Sequence, residues 1–404
     1  MTAFGASLPE RDLAAHSADA PHTDARAELL SWKQAVVDPA YCAQWDRLSA
    51  LATEPNVFVE RWYLCAALQA LDSGDQVYLA TIWRADEMIG LVPIYCEVRY
   101  AGLQVRTVHN WLNHNAFLGT PLVAPSKETL FWTAMLSYLD RENFGALFAH
   151  FKGCTLSGRL AKALEDVCRQ QRRRIALVHR EERALLERGL SSEAYLEATL
   201  RGKKRKELRR QQNRLAELGM LDFERTDGSE GLDSWIDEFL ALERRGWKGA
   251  NGSALDCADS TRNLFRGALH GAANEGKLEL LALRLDGRAI AMLVNFLTPP
   301  GAFSFKTAFD EDYARFSPGV LLQIHNLALL ERDGIEWCDS CAAQDHPMID
   351  SIWSGRRAIG RYSVAIGGPV RRAGFALLLA AEKAKGRLRQ INAGKIHKAN
   401  EMSS

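Results

Sequence analysis

The chain has 404 residues, 47% hydrophobic and 25% charged, with 51 Lys and Arg against 50 Asp and Glu. That length accommodates about two or three domains, and the composition is that of an ordinary globular protein. The net charge of +1 excludes a global field that would select nucleic acid or membrane, so any basic surface must be local.

No run approaches the ~18 apolar residues of a membrane span; FALLLAA, beginning at Phe375, is far shorter. Residues 1–26 lack a basic segment followed by an apolar one, so they read as a flexible leader and not as a secretory signal. The resulting expectation is a cytoplasmic protein, or one peripheral to the inner face of the membrane. Eight scattered cysteines in apolar surroundings read as reduced. On a strand, Cys338 and Cys341 would point to opposite faces, which argues against a shared metal.

In chain order, 27–38 and 57–72 carry helical patterns, the second ending at Ser73-Gly74. Strands are expected at 76–84 and 87–99 across the polar turn Ala85-Asp86, then at 103–108, around Leu122-Val123 and at 146–151. Helices are expected at 129–141 and 157–172, and a strand at 175–179 closes the sheet. These pieces make an N-terminal mixed α/β domain over 27–180. The polar stretch 181–192 reads as a connection.

A second domain, 193–369, partly repeats the order. Helices are expected over 193–218 and 231–246, flanking a strand at 221–226. A helix at 259–275 leads into a strand at 277–285, the hairpin turn Asp286-Gly287 and strands at 288–297 and 302–308. VYLATIWRADEMIGLVPIYCEV and LELLALRLDGRAIAMLVNFL share one strand–turn–strand pattern. Two copies of one α/β unit are therefore expected, followed by a basic helical tail over 370–404.

Within the second unit, the strand bearing Lys306 meets the acidic turn Asp310-Glu311-Asp312. Ser317-Pro318-Gly319 then opens an apolar helix, and Glu336–Ser340 forms a short strand. Two readings of that helix start stay open: a plain crossover helix with a Ser cap and Pro at N1, or an anion site on the first amides.

Four strings occur in order: GKKRKELRR from Gly202, LERRGWKG from Leu242, YARFSPGVLL from Tyr313, and DSCA from Asp339 followed by Asp345-His346-Pro347-Met348. Together they resemble the CelD/BcsL-like acetyltransferases of cellulose and exopolysaccharide synthesis, a branch of the GNAT superfamily near the FemAB-like tandem proteins. The resemblance is strongest over about 195–355. It implies tandem GNAT-like α/β domains, an acyl-CoA donor, read here as acetyl-CoA, and transfer to an amine or hydroxyl, read as one on a small-molecule or saccharide acceptor; the missing ligand set gives the expectation of no metal. The usual glycine-rich pyrophosphate loop is replaced here by Arg315-Phe316-Ser317-Pro318-Gly319. FemAB-like relatives use aminoacyl-tRNA, which stands as the alternative donor. A non-catalytic scaffold is the third reading.

Acyl transfer needs a held donor, a deprotonated acceptor and a stabilised oxyanion. Arg315, Ser317, Gly319 and Val320 are the donor edge under this reading. Lys306, expected to share a face with Ser304 and Ala308, is costly to bury unpaired and reads as a donor or substrate contact, or else as an outward lysine. Asp339 reads as a general base or as a structural ion pair. His346 reads as a proton carrier, imidazole being the side chain suited to proton transfer near neutral pH, while Asp345 either contacts the acceptor or caps a helix. Trp247 and Lys248, between Gly246 and Gly249, read as an acceptor contact or as core packing.

Eight of the residues from Arg201 to Arg214 are Lys or Arg and one is Glu. Leucines recur on one side of this run, so the other side presents like charges to solvent or to an anion. Aromatics that would stack bases are missing, which places nucleic acid behind other anions. HNWLNHNAFLG, from His109, reads as a polar, aromatic loop lining a cleft between the two units.

Overall fold

A computed structural model describes residues 18–19, 24–142, 144–382 and 384. The first part supplies strands β1 (Ala18–Asp19), β2 (Ala25–Ser31), β3 (Tyr78–Arg84), β4 (Glu87–Glu97), β5 (Thr107–Asn110), β6 (Leu122–Val123) and β7 (Phe148–Thr155). Its helices are α1 (Trp32–Val36), α2 (Pro39–Leu51), α3 (Arg61–Leu71), α4 (Glu128–Glu142) and α5 (Arg159–Gln170). Strand β8 (Ile175–Glu187) leads into helices α6 (Ser192–Thr199) and α7 (Gly202–Ala216). There follow β9 (Leu221–Thr226), α8 (Leu232–Arg245), α9 (Trp247–Ala250), α10 (Asp259–Asn274), and the strands β10 (Leu278–Leu285), β11 (Arg288–Thr298) and β12 (Gly301–Phe309). The chain continues through α11 (Pro318–His325), β13 (Trp337–Asp339), α12 (Pro347–Asp350) and β14 (Gly355–Ala365).

These strands form one mixed sheet in the order β1-β2-β3-β4-β5-β7-β14-β8-β13-β12-β11-β10-β9, with β6 against β4. The two expected repeats are its two hairpins, β3–β4 and β10–β11. Each has a register shift near its turn, at Ile82/Trp83 and at Leu283/Arg284. Both turns hold a non-glycine residue in the left-handed region, Ala85 at φ 50° and Asp286 at φ 50°.

Local propensity is overridden at two places. Residues 27–31, expected to be helical, extend as part of β2, which pairs with β3 along its whole length. The helix there is only α1, opened by a Ser31–Gln34 capping box. The stretch 181–187, expected to lie in a connection, continues β8, which sits between β14 and β13. Strand β14, which has no counterpart in the sequence reading, comes from the far end of the chain and pairs with β7 and β8. The leader expected at 1–26 lies mostly outside the described residues, although Ala18–Asp19 pairs with β2. The tail is helical over residues 369–382, where Phe375 stacks on Phe148; residues 385–404 lie outside the described residues.

Helices cover both faces. Helices α4 and α5 pack on one face of the first half, and α3, α8 and α10 enclose a core with β10–β12. Helices α7 and α11 cover the opposite face of β10 and β11 through Leu208, Leu215, Leu321 and Leu322. The halves are tied together where α3 meets α10. Gly271 lies against Trp62, and Glu60, 1% exposed, accepts from Trp62 Nε1, Thr298 Oγ1 and the Lys277 ammonium.

Two neighbouring strand pairs run parallel, β5–β7 and β12–β13, and both part after two or three residues. In the first half the gap is stitched shut. The Asn110 side chain accepts from the Lys152 amide and donates to the Lys152 and Gly119 carbonyls, standing in for a strand partner. Beside it, His109 and His150 are 3% and 5% exposed, with ring centroids 5.1 Å apart, against Tyr95, Tyr100 and Lys152.

Burial, followed by the charge of Lys152, depresses the imidazole pKa values, to about 2 for His109 and about 4 for His150. The unfolded chain takes up these protons near pH 6.5, whereas the native state resists them. Stability is therefore complete above pH 6.5 and falls as the pH drops toward 4 and below, by on the order of 2 kcal/mol per imidazole at pH 5. Thermal melts from pH 7.5 to 4.5 check this: His109→Gln/His150→Gln flattens the acid limb, and an unchanged slope refutes the assignment.

Candidate active site

In the second half the parallel pair also parts early. Register pairs end at Phe303↔Asp339, and β12 continues alone to Phe309. On its other side β12 carries a bulge, because Val294 faces Lys306 while Asn295 faces Ser304. That extra residue breaks the alternation and separates Lys306 from Ser304, though not from Ala308, also expected to share its face. Ser304 and Thr307, three residues apart, both accept from Gln323 Nε2. Lys306 instead lies over the rings of Phe117, at 5.1 Å, and Phe305, at 5.4 Å. Phe117 belongs to the 109–119 loop of the first half, so this loop reaches β12, while His109 and Asn110, expected in the loop, lie on buried β5.

The Lys306 ammonium has no carboxylate at salt-bridge distance. Desolvation, then the nearby Lys248 charge, lowers its pKa to about 8. Lys248 donates to Glu243 Oε1 at 2.7 Å and to the Thr307 carbonyl at 3.4 Å, which fixes it beside β12. The turn that positions it requires Gly249, where a Cβ would lie 1.8 Å from the Arg244 carbonyl oxygen. Trp247 is 54% exposed, so it is not a core anchor; its amide donates to Glu311 Oε1 at 2.6 Å.

Asp339 is fully buried and its oxygens are committed. Oδ1 accepts from the Cys341 amide at 2.9 Å and lies 3.7 Å from Arg183 Nη1, while Oδ2 accepts from Arg357 Nη1 at 3.0 Å. Arg357 stacks 3.9 Å over the Trp337 ring. Arg183 donates to the Phe117 carbonyl, and its Nε has no partner. Cys338 and Cys341 belong to different core clusters, although β13 ends at Asp339 and Cys341 lies beyond it at φ 53°, so strand alternation is not the reason; burial raises both thiols well above their ordinary range.

At the α11 end, Ser317 has φ 55° and makes no side-chain cap, contrary to the capping reading. Pro318 has no N–H. Val320 and Leu321 donate back to the Ser317 carbonyl, so the first turn offers little beyond the Gly319 amide. Gly319 is close-packed, 3.1 Å from Met348 Sδ for an added Cβ, and this contact brings α12 against α11. His346 occupies the cap position of α12, and its buried Nδ1 has no partner. Asp345 is exposed at φ 60° and caps nothing.

Arg315 stacks on Phe316, and its carbonyl accepts from Gln211 of α7. Arg210, Arg214 and Arg315 line a surface cleft of about 330 Å³ next to the start of α11. The structure thus brings Lys306, Lys248 and Asp339 to the strand divergence, whereas Arg315 lies at the α7 cleft and Trp247 beside Glu311. Phe117, Arg183, Arg357 and Gln323 join the site without having been singled out by sequence. Among the described residues no cluster of His, Cys, Asp or Glu could hold a metal ion, and no helix is long and apolar enough to cross a membrane.

Residues 202–346 match the acetyltransferase (GNAT) domain family. No curated protein matches the chain. Among solved structures, FemX is similar over 80% of this chain and 95% of its own, at 10% identity and a TM-score of 0.55. A conserved protein of unknown function from Bacteroides thetaiotaomicron is similar over 80% and 97%, at 16% identity and a TM-score of 0.51. A tandem GNAT protein from the clavulanic acid biosynthesis pathway aligns over 85% and 99%, at 14% identity and a TM-score of 0.41. Residues 202–346 thus carry the sequence pattern of a GNAT acetyltransferase domain, and the chain shares the mixed α/β fold of FemX over most of its length.

Proposed function

We propose that the protein transfers an acyl group, acetyl from acetyl-CoA, to an amine or hydroxyl of a saccharide precursor or related metabolite in cellulose or exopolysaccharide synthesis. The observation that carries the transfer reading is Lys306, a cation with no carboxylate at salt-bridge distance among the described residues, where β12 and β13 part. Acyl transfer develops negative charge on the carbonyl oxygen, and a preorganised cation in a water-poor cleft stabilises it.

In this reading the acceptor nitrogen or oxygen bonds to the thioester carbon and the C–S bond breaks. The acceptor proton passes by way of His346 to the departing thiolate, so no other reactant is needed. Asp339 is the anchor of Arg183 and Arg357 and not the base, because both its oxygens are engaged. Trp247, Lys248 and Asp345 border the acceptor side. Arg315, with Arg210 and Arg214, faces the donor's phosphates, while Ser317, Gly319 and Val320 shape the first turn of α11.

A second reading, aminoacyl-tRNA as donor, is favoured by the first turn of α11, whose amides are largely spent or missing. Titration calorimetry of the full chain with acetyl-CoA and with charged tRNA separates the two. Acetyl-CoA is expected to bind within the usual ~1 μM–1 mM range of enzyme substrates. No heat at the upper end, with retention of charged tRNA, overturns the acetyl-CoA assignment.

A further inference from the structure

Helix α7 is held by Leu208 and Leu215, 3% and 0% exposed. Its outward side carries Lys203, Lys206, Arg210 and Arg214, three or four residues apart, along a helix about 22 Å long. Two of its cations have carboxylate partners, Arg210 with Glu207 and Arg205 with Glu197. Arg201, Lys203, Lys204, Lys206, Arg209 and Arg214 have none among the described residues, although ion pairs hold exposed arginines elsewhere, such as Arg47, Arg84 and Arg169.

At the end of this ridge the chain turns sharply and displays two apolar side chains, Leu218 at 49% and Met220 at 71% exposure. The turn is fixed, not frayed. Met220 N donates to Asp286 Oδ1 at 2.8 Å, Asp286 N donates to the Met220 carbonyl at 2.9 Å, and Gly219 packs against the Asp286 carboxylate. A rigid turn thus holds a leucine and a methionine in water beside six unpaired cations.

We propose that α7 and the 218–220 turn form a docking surface for an anionic lipid bilayer. Unpaired lysines and arginines meet the headgroup charge, and Leu218 and Met220 enter the headgroup–acyl boundary. RNA would meet the same charge, but the ridge offers no aromatic platform for bases, and an exposed leucine and methionine serve no phosphate backbone. Docked in this way, the cleft at Arg315 sits beside the bilayer, because Gln211 of α7 holds the Arg315 carbonyl.

The test is co-sedimentation of the full chain with phosphatidylcholine vesicles, with and without phosphatidylglycerol, in the absence of any acyl donor, so that failure of the acetyl-CoA reading leaves it intact. Binding to the anionic vesicles alone is expected, with release at high salt. Lys203→Glu/Lys206→Glu/Arg209→Glu should bring binding down to the neutral-vesicle level, at about five-fold or more per charge removed. Leu218→Ser/Met220→Ser should weaken binding while leaving it salt-sensitive. Both variants should retain the parent melting temperature and acetyl-CoA affinity. Equal binding to neutral vesicles, no binding to either, wild-type binding by the charge-reversed chain, or displacement from vesicles by tRNA at matched phosphate concentration overturns the proposal.

Discussion

Lys306→Met will lower acyl transfer by about 10²–10³-fold, the loss typical of removing one group that stabilises a transition-state oxyanion, while the protein stays folded. The side chain makes no hydrogen bond to the protein, and methionine fills the slot between Phe117 and Phe305. Lys306→Arg, which keeps the charge, should retain part of the rate. Since the ammonium is the working form and its pKa is lowered to about 8, kcat should fall as pH rises through 8. The arginine variant should lose that limb, because guanidinium stays protonated. A methionine variant within a few-fold of the parent, or a rate that climbs through pH 8, would sink the oxyanion role.

Asp339→Ala will destabilise the chain by about 3–5 kcal/mol, the cost of stripping one partner from a buried ionic cluster. The carboxylate is fully buried and, among the described residues, is the only ion-pair partner of both Arg183 and Arg357. Its removal leaves two guanidiniums facing each other and the Cys341 amide without an acceptor. Urea unfolding followed by tryptophan fluorescence reads the shift. Adding Arg357→Met to Asp339→Ala should recover part of the loss, since one uncompensated charge goes with it. A single variant as stable as the parent would mean that the cluster is more hydrated than its burial indicates.

The paired hairpins were legible because each combines apolar alternation with a short polar turn, and both signals are local. Helix α10 and strand β9 were legible for the same reason. Strand β2 was not, since Ala-Arg-Ala-Glu-Leu-Leu is made of helix formers and only its pairing with β3 makes it extended. Strand β14 was hidden by its arginines, and its partners lie far away in sequence. At the site, Lys306, Lys248 and Asp339 stood out as chemistry-bearing residues beside glycines or strand ends. The bulge that aims Lys306 has no sequence mark. Arg183 sits in a charged string, Arg-Glu-Glu-Arg, that looks solvated until β8 is placed between β14 and β13. Phe117 reaches the lysine only by a fold-wide return.

The interleaving of β8 and β14 bears on how this protein can be divided. The segment 202–346 that matches the GNAT family begins after β8 and stops before β14. It contains β13 and Asp339 but neither Arg183 nor Arg357, and its β13 edge would be unzipped from β8. Excised, that segment would expose a bare strand edge and strand a carboxylate in its interior. The folding unit is therefore indivisible even though its repeat is visible. A gene fusion or domain swap that respects the apparent boundary near residue 200 will give insoluble product, whereas insertions at the exposed turn beside Gly252 leave every strand with its neighbours.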